Sequence, residues 1–158
     1  MQQKDNLKIL EIYKSGLETK NATFETRVPS WLDWDKKHLL NSRFVFCQDE
    51  KVLGWAALSP VSSREVYKGI AEVSLYVDTD YAGRGIGTKL MEQLIISSEE
   101  NGIWTLFSSV FPENTATLKL HEKFGFRIIG KREKIALHYG KWRDTIILER
   151  RSRKVGTD

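Results

Sequence analysis

The chain is poor in the residues that staple or anchor proteins. It has one cysteine, three prolines, three histidines and no apolar run near the roughly 20 residues that would cross a bilayer. The lone cysteine, Cys47, excludes an internal disulfide, and its place in the apolar run 44–47 marks it as a buried core thiol. No Cys/His spacing suggests zinc, so no metal is expected. Residues 1–6 are polar rather than signal-like, which points to the cytoplasm and away from a membrane. Arginine-rich groove sequences and aromatic stacking motifs of the RNA-recognition type are also missing. The net charge of +4 owes much to Arg150, Arg151, Arg153 and Lys154, opposed there only by Glu149 and Asp158. A basic tail over about residues 151–158 is weak ground for nucleic acid, which is not an expected partner.

What is present suits one domain over residues 1–158: 41% apolar content in a 158-residue chain is enough for a core without staples. Apolar residues at helical spacing from Leu7 to Leu17 predict a helix starting near Asp5 and ending at Gly16 or around residues 20–21. Residues 21–27 read as a loop, and Ser30 caps a second helix carrying Trp31, Trp34, His38 and Leu39, its tryptophans read as core. A hairpin follows (44–47 and 52–58), then strand 70–77, a glycine-rich turn, a long helix stopped by Asn101-Gly102, strand 104–110, and a short helix over 115–124. Residues 126–129, 133–138 and 144–149 read as strands. This order defines an α/β fold, a mixed and mostly antiparallel twisted sheet with helices on both faces.

The chain is organised around residues 72–100. Val73, Leu75 and Val77 alternate with polar neighbours as in a strand, and Leu90, Met91, Leu94 and Ile95 share a helical face. Between them Gly83, Gly85 and Gly87 allow close approach of the backbone to a ligand at a helix N-terminus, where free N–H groups favour an anion. Spacing excludes two nucleotide motifs. A P-loop would need Gly-Lys-Ser/Thr where Gly87-Thr88-Lys89 stands, and the dinucleotide fingerprint would need glycine at position 88.

The remaining pattern resembles the GCN5-related N-acetyltransferase (GNAT) superfamily, whose acetyl-CoA motif follows a strand ending in a Val-Asp-like pair. Here these are Val77-Asp78 and residues 82–87, with Ala82 in place of the usual Gln or Arg, which leaves the backbone cradle intact. Asn114, Leu118, residues 121–123 and Gly125-Phe126 are similar to further superfamily blocks. Thr23-Phe24-Glu25, Arg64, Tyr67, the run 71–77 and the run 140–144 narrow the resemblance to the phosphinothricin N-acetyltransferase branch, over about residues 5–150. Two departures stand out. The family opens with a strand for which residues 1–4 are too short, so that strand is expected to be lacking or the start clipped, and His138-Tyr139 replaces a Lys-aromatic or Lys-His pair.

The resemblance implies a GNAT-like acyl-CoA N-acyltransferase fold, acetyl-CoA as co-substrate, a small-molecule amine as partner, and the homodimer common in the branch. It implies Glu72 as general base, on the strand face opposite Val73 and Leu75, and His121 as a general-acid candidate set against a structural role. Coenzyme contacts are expected from Leu75, Tyr76, Val77, Gly83, Arg84, Gly85, Ile86, Gly87, Thr88 and, toward the pantetheine arm, Asn114. Phe24, Arg64, Tyr67 and Tyr139 are expected around the amine, with Arg64 pairing a carboxylate. A peptide-like α-amino group of pKa about 8 is roughly a tenth neutral at pH 7, so a modest base suffices. The expected reaction is direct attack by the amine of an amino-acid-like substrate, of phosphinothricin or methionine-sulfoximine type, on the thioester. The alternatives are transfer to protein amines or polyamines, and a non-catalytic acyl-CoA-binding regulatory domain.

Overall fold

The computed structural model describes residues 1–157. A 3-10 turn, Gln3–Asp5, leads into helix α1, Asn6–Glu18. Asp5 does not cap α1 directly: its Oδ2 accepts the N–H of Gln2 at 2.6 Å and closes the preceding turn. Gly16 does not end the helix. A Cβ there would lie 2.7 Å from the ring of Tyr76, so the glycine makes room for an aromatic side chain beneath the helix. Helix α2, Trp31–Lys37, starts where Ser30 Oγ accepts the N–H of Asp33, and stops with His38 already extended. Arg43 ties off its end by donating to the carbonyls of Asp35 and His38.

Strands β1, Phe44–Gln48, and β2, Lys51–Pro60, form the expected hairpin around Asp49 and Glu50, both with positive φ as a two-residue turn requires. Then come β3, Ile70–Val77; helix α3, Ile86–Glu100; β4, Thr105–Val110; helix α4, Thr115–Lys123; β5, Arg127–His138; and β6, Lys141–Arg151. The predicted strands 126–129 and 133–138 are one strand, interrupted by irregularities at Ile128/Gly130 and Arg132/Ala136. The six strands form one sheet in the order β1-β2-β3-β4-β6-β5, with β3-β4 as its parallel pair. Among the described residues no strand precedes α1, and no helix is long and apolar enough to cross a membrane.

Strand β2 is buried on both faces, which explains its near-continuous apolar run. Trp55 and Ala57 face α1 and α2 together with Ile9, Ile12, Tyr13 and Trp34, while Ala56 and Leu58 face α3 with Leu90, Met91 and Leu94. The β1-β2 bulge after Phe46 leaves Leu53 unpaired and turns the end of β1 outward. Cys47 is therefore exposed rather than a core thiol, because β1 is an edge strand and the bulge falls at this residue. The basic tail is folded back over residues 150–154, its last residue, 158, lying outside the described residues: Lys154 and Arg150 both pair with Glu99, at 3.2 and 3.1 Å, and Ser152 N–H bonds the carbonyl of Trp104 at 2.8 Å.

Trp104 packs flat on Gly69, where a Cβ would lie 2.0 Å from the indole ring. Gly69→Ala is expected to cost about 1–3 kcal/mol. Gly130→Ala, whose Cβ would meet nothing within 4 Å, should stay within about 0.5 kcal/mol of the parent. Chemical denaturation of both variants checks this pair.

Candidate active site

Strands β3 and β4 pair over Ile70–Thr105, Ala71–Leu106 and Glu72–Phe107, and then part. β3 stays with β2 through Val77, and β4 stays with β6 through Val110, so a wedge opens between them. The hydrogen-bond alternation fixes which groups face it. The N–H of Asp78 bonds the carbonyl of Leu53 at 2.8 Å, so Tyr76 and Ser74, at the same parity, also turn their backbone groups toward β2. Leu75 and Val77 point theirs into the wedge. Tyr76 thus offers a coenzyme no backbone group, while its side chain lies on the α1 face, stacked on Trp55 and edge-on to Tyr13.

At the top of the wedge the turn 83–87 is open. Gly83 and Gly85 have φ of +76° and +78°, and a Cβ at either would meet nothing within 4 Å. The first helical bond of α3 runs from Lys89 N–H to Gly85 O at 3.2 Å. Among the described residues the amides of residues 83–88 ahead of it have no backbone acceptor, and they converge at the positive end of the helix. Arg84 stands exposed over the ring of Tyr81, at 4.9 Å. These residues fit a pyrophosphate held by main chain, and the alanine at position 82 subtracts nothing from the cradle. Among the described residues no group of three or more His, Cys, Asp or Glu could hold a metal.

The wedge opens into a cavity of ≈ 580 Å³ that is lined from both faces of the sheet. Phe24, Glu72, Leu75, Tyr76, Asn114 and His121 all line it. Glu72 is half-buried, and desolvation pushes its carboxyl above the ordinary glutamate range, with Lys37 pulling the other way. Phe24 is edge-on to Phe111 at 4.8 Å. Burial also raises the phenols of Tyr13 and Tyr76, which stay neutral.

Three expected amine-pocket residues do not line this cavity. Arg64 and Tyr67 belong to an exposed 3-10 turn, Glu65–Tyr67 and its cap, where the guanidinium sits 5.3 Å over the phenol ring. Tyr139 is half exposed at the tip of the β5-β6 turn, with Lys20 Nζ 4.8 Å over its ring. His138, one residue earlier, is buried behind Phe24 and Phe111 and supports that wall from outside.

Asn114 and His121 are both engaged by the protein. Asn114 caps α4 by accepting the N–H of Thr117 at 3.3 Å, and its Nδ2 donates to the carbonyl of Asn21 at 3.2 Å. One N–H and one lone pair remain for a ligand. His121 Nδ1 lies 2.8 Å from the carbonyl of Thr117, which can only accept, so that nitrogen carries the hydrogen. Nε2 then accepts from Ser108 Oγ at 2.7 Å, and burial lowers the ring's pKa and keeps it neutral. In this state His121 has no proton to offer the cavity.

Sequence reading missed Arg143, which fastens the loop that carries Phe24. Its guanidinium donates to Lys20 O, Asn21 Oδ1 and Glu113 Oε2, each at 3.1 Å, and stacks 4.0 Å over Phe111. The run 140–144 contained it, but nothing in a sequence reveals a bond across 122 residues.

A mixed sheet that splays at its parallel pair, with an amide-lined glycine turn above the gap, defines an acyl-CoA N-acyltransferase. Residues 7–126 match the model of the acetyltransferase (GNAT) family. A phosphinothricin N-acetyltransferase of Alcaligenes faecalis is 31% identical over 154 residues, covering 90% of this chain and 75% of its own length. An L-methionine sulfoximine/L-methionine sulfone acetyltransferase of Salmonella typhimurium is 25% identical over 146 residues, 89% of this chain and 85% of that one. A GNAT superfamily phosphinothricin acetyltransferase from Sinorhizobium meliloti, solved in complex with acetyl-CoA, has the same fold, with a TM-score of 0.90 at 22% identity over 100% of this chain and 89% of that one. The chain belongs to the acetyltransferase (GNAT) family and is an acetyl-CoA-dependent N-acetyltransferase.

Replacing Arg143 by Ala should release residues 20–24 from the cavity wall. The expected result is a rise of about tenfold in KM for the amine, with KM for acetyl-CoA changed less than about twofold. Arg143→Lys should rescue little of this, since a single ammonium cannot span three acceptors. Steady-state kinetics with each substrate varied in turn measures the split.

Proposed function

We propose that this enzyme acetylates a small amino-acid-like amine, of the phosphinothricin or methionine sulfoximine type, with Glu72 as general base. The observation that carries this reading is the place of Glu72. It is the last residue of β3 paired to β4, desolvated, at the point where the wedge meets the cavity. The names of the relatives supply the substrate type.

The coenzyme, when bound, brings an acyl thioester, and the chain's residues do the rest. The amides of residues 83–88 hold the pyrophosphate, with Arg84 adding charge, and Leu75 and Val77 line the path of the pantetheine arm beside the remaining polar capacity of Asn114. The N–H groups of Leu75 and Val77 face the gap and favour negative charge developing on a carbonyl oxygen there. Glu72 accepts a proton from the amine. Phe24, Tyr76 and Phe111 exclude water around it. His121 holds Ser108 rather than delivering a proton, so its replacement should affect the rate less than that of Glu72.

Since burial raises the Glu72 pKa, the base is available only above that raised value, and the rate should climb with pH through it. Glu72→Gln should lower kcat about 10²- to 10⁴-fold and remove that limb of the pH profile. The fold favours the neutral acid, so the contribution of Glu72 to stability is full below its unfolded pKa and is lost as pH rises through the folded one. The Gln variant should therefore melt no lower than wild type at pH 8. Thiol release from acetyl-CoA across phosphinothricin, methionine sulfoximine, lysine and spermidine tests the substrate class. Preference for spermidine or lysine would overturn it, and unchanged turnover in Glu72→Gln would remove that residue as the base.

A further inference from the structure

The far wall of the cavity is built by an irregular stretch of β5. Arg132 pairs with Thr145 and Ala136 with Arg143, so residues 133–135 are looped out of register. The loop is fixed by Lys134, whose φ is +47° and whose N–H donates to Asp144 Oδ1 at 2.8 Å, and by Lys131, 2.9 Å from the same carboxylate. This irregularity leaves Arg132, Ile135 and Ala136 all lining the cavity.

Among the described residues, two polar groups on that wall have no counterpart. Thr145 lines the cavity at 3% exposure, and its Oγ1 has no hydrogen-bond partner. A desolvated hydroxyl without a partner is a cost that a ligand can remove. Arg132 is the direct cross-strand partner of Thr145, so the two side chains rise from the same face with their Cβ atoms about 5 Å apart. Among the described residues Arg132 enters no ion pair, whereas the cavity's Lys37 is 3.8 Å from Glu25 and also acts on Glu72. One wall therefore pairs a cation with carboxylates, and the opposite wall presents an exposed cation without an ion pair and a buried hydroxyl without a partner among the described residues.

We propose that Arg132 and Thr145 form a carboxylate-binding subsite that selects amine substrates carrying an acid group. This rests on the reading of the cavity as the amine site. The guanidinium fork matches the two carboxylate oxygens, and the Thr145 hydroxyl donates to one of them. Glu72 on β3 and Arg132 on β5 stand three strand spacings apart, and the register through Phe107 and Glu149 sets Arg132 about four residues further along, so their backbones are about 19 Å apart and both side chains line the cavity. A zwitterion with its charges at the two ends of an extended chain, laid between them, meets charge of the right sign at each end. Arg64, stacked on Tyr67 outside the cavity, is not placed for this role.

The test compares each acid with its uncharged partner: L-methionine sulfone with its carboxamide, and 4-aminobutyrate with butylamine. Wild type should prefer the acid of at least one pair. A preference in the first pair alone sets the carboxylate beside the amine, and in the second alone sets it at the far end. Arg132→Gln should lower kcat/KM for the preferred acid about 30-fold and leave its uncharged partner within about threefold. Thr145→Val should lower the acid's value about tenfold while the melting temperature holds or rises, since the hydroxyl contributes no internal bond. Equal use of acid and uncharged amine by wild type, or equal losses for both in Arg132→Gln, would overturn the subsite. If no amine releases thiol, the reading of the cavity as this amine site fails. The subsite is then judged by melting: a rise in melting temperature with methionine sulfone or 4-aminobutyrate, missing with the uncharged partner and in Arg132→Gln, supports it, and no such rise overturns it.

Discussion

The parting of β3 from β4 after Glu72 and Phe107 is the constraint on which the rest depends. A parallel pair continued to Val77 would bury the N–H groups of Leu75 and Val77 in a ladder and close the path from the glycine turn to the cavity. Because each strand keeps its outer partner, β2 or β6, the sheet holds together while a gap opens at its centre. The gap gives the molecule two working faces. The amide cradle stands at the start of α3, and the cavity runs through the gap, lined by Tyr13, Trp34 and Glu72 on the α1 and α2 side and by Leu75, Thr117 and His121 on the α4 side.

Most ionisable groups around the cavity are held neutral or matched. His38 is lowered to about 4 by burial, with its Nδ1 on the carbonyl of Trp34, and His121 is neutral between Ser108 and Thr117. The phenols of Tyr13 and Tyr76 are raised by burial. Against this background the charge of Glu72 is conspicuous, and so is that of Arg132 on the opposite wall. The dense aromatic packing of Tyr13, Trp34, Trp55 and Tyr76 shapes this low-polarity surround and fixes the residues that bear charge.

Several small residues are explained only by what leans on them. Gly16 yields to Tyr76 and Gly69 to Trp104, each an aromatic ring that arrives from a distant part of the chain. Gly83 and Gly85 differ in kind: nothing approaches them, and their positive φ shapes a turn whose amides face outward. Asn114 also serves two masters, since capping α4 and bonding Asn21 are local and long-range tasks of a single amide.

Periodicity and turn chemistry in the sequence determined the element order, the glycine turn, the helix stops at Gly102 and Gly125 and the alternation that sets Glu72 opposite Val73 and Leu75, because these depend on residues near one another. Order and motif spacing together were enough to identify the family. The tertiary structure alone decided which candidates share a cavity. It set Arg64, Tyr67 and Tyr139 outside, exposed Cys47 through a bulge, closed both nitrogens of His121, and brought in Arg132, Arg143 and Thr145. Those outcomes rest on register, on irregular pairing in β5 and on side chains meeting across more than a hundred residues, and none of these leaves a periodic trace in the chain.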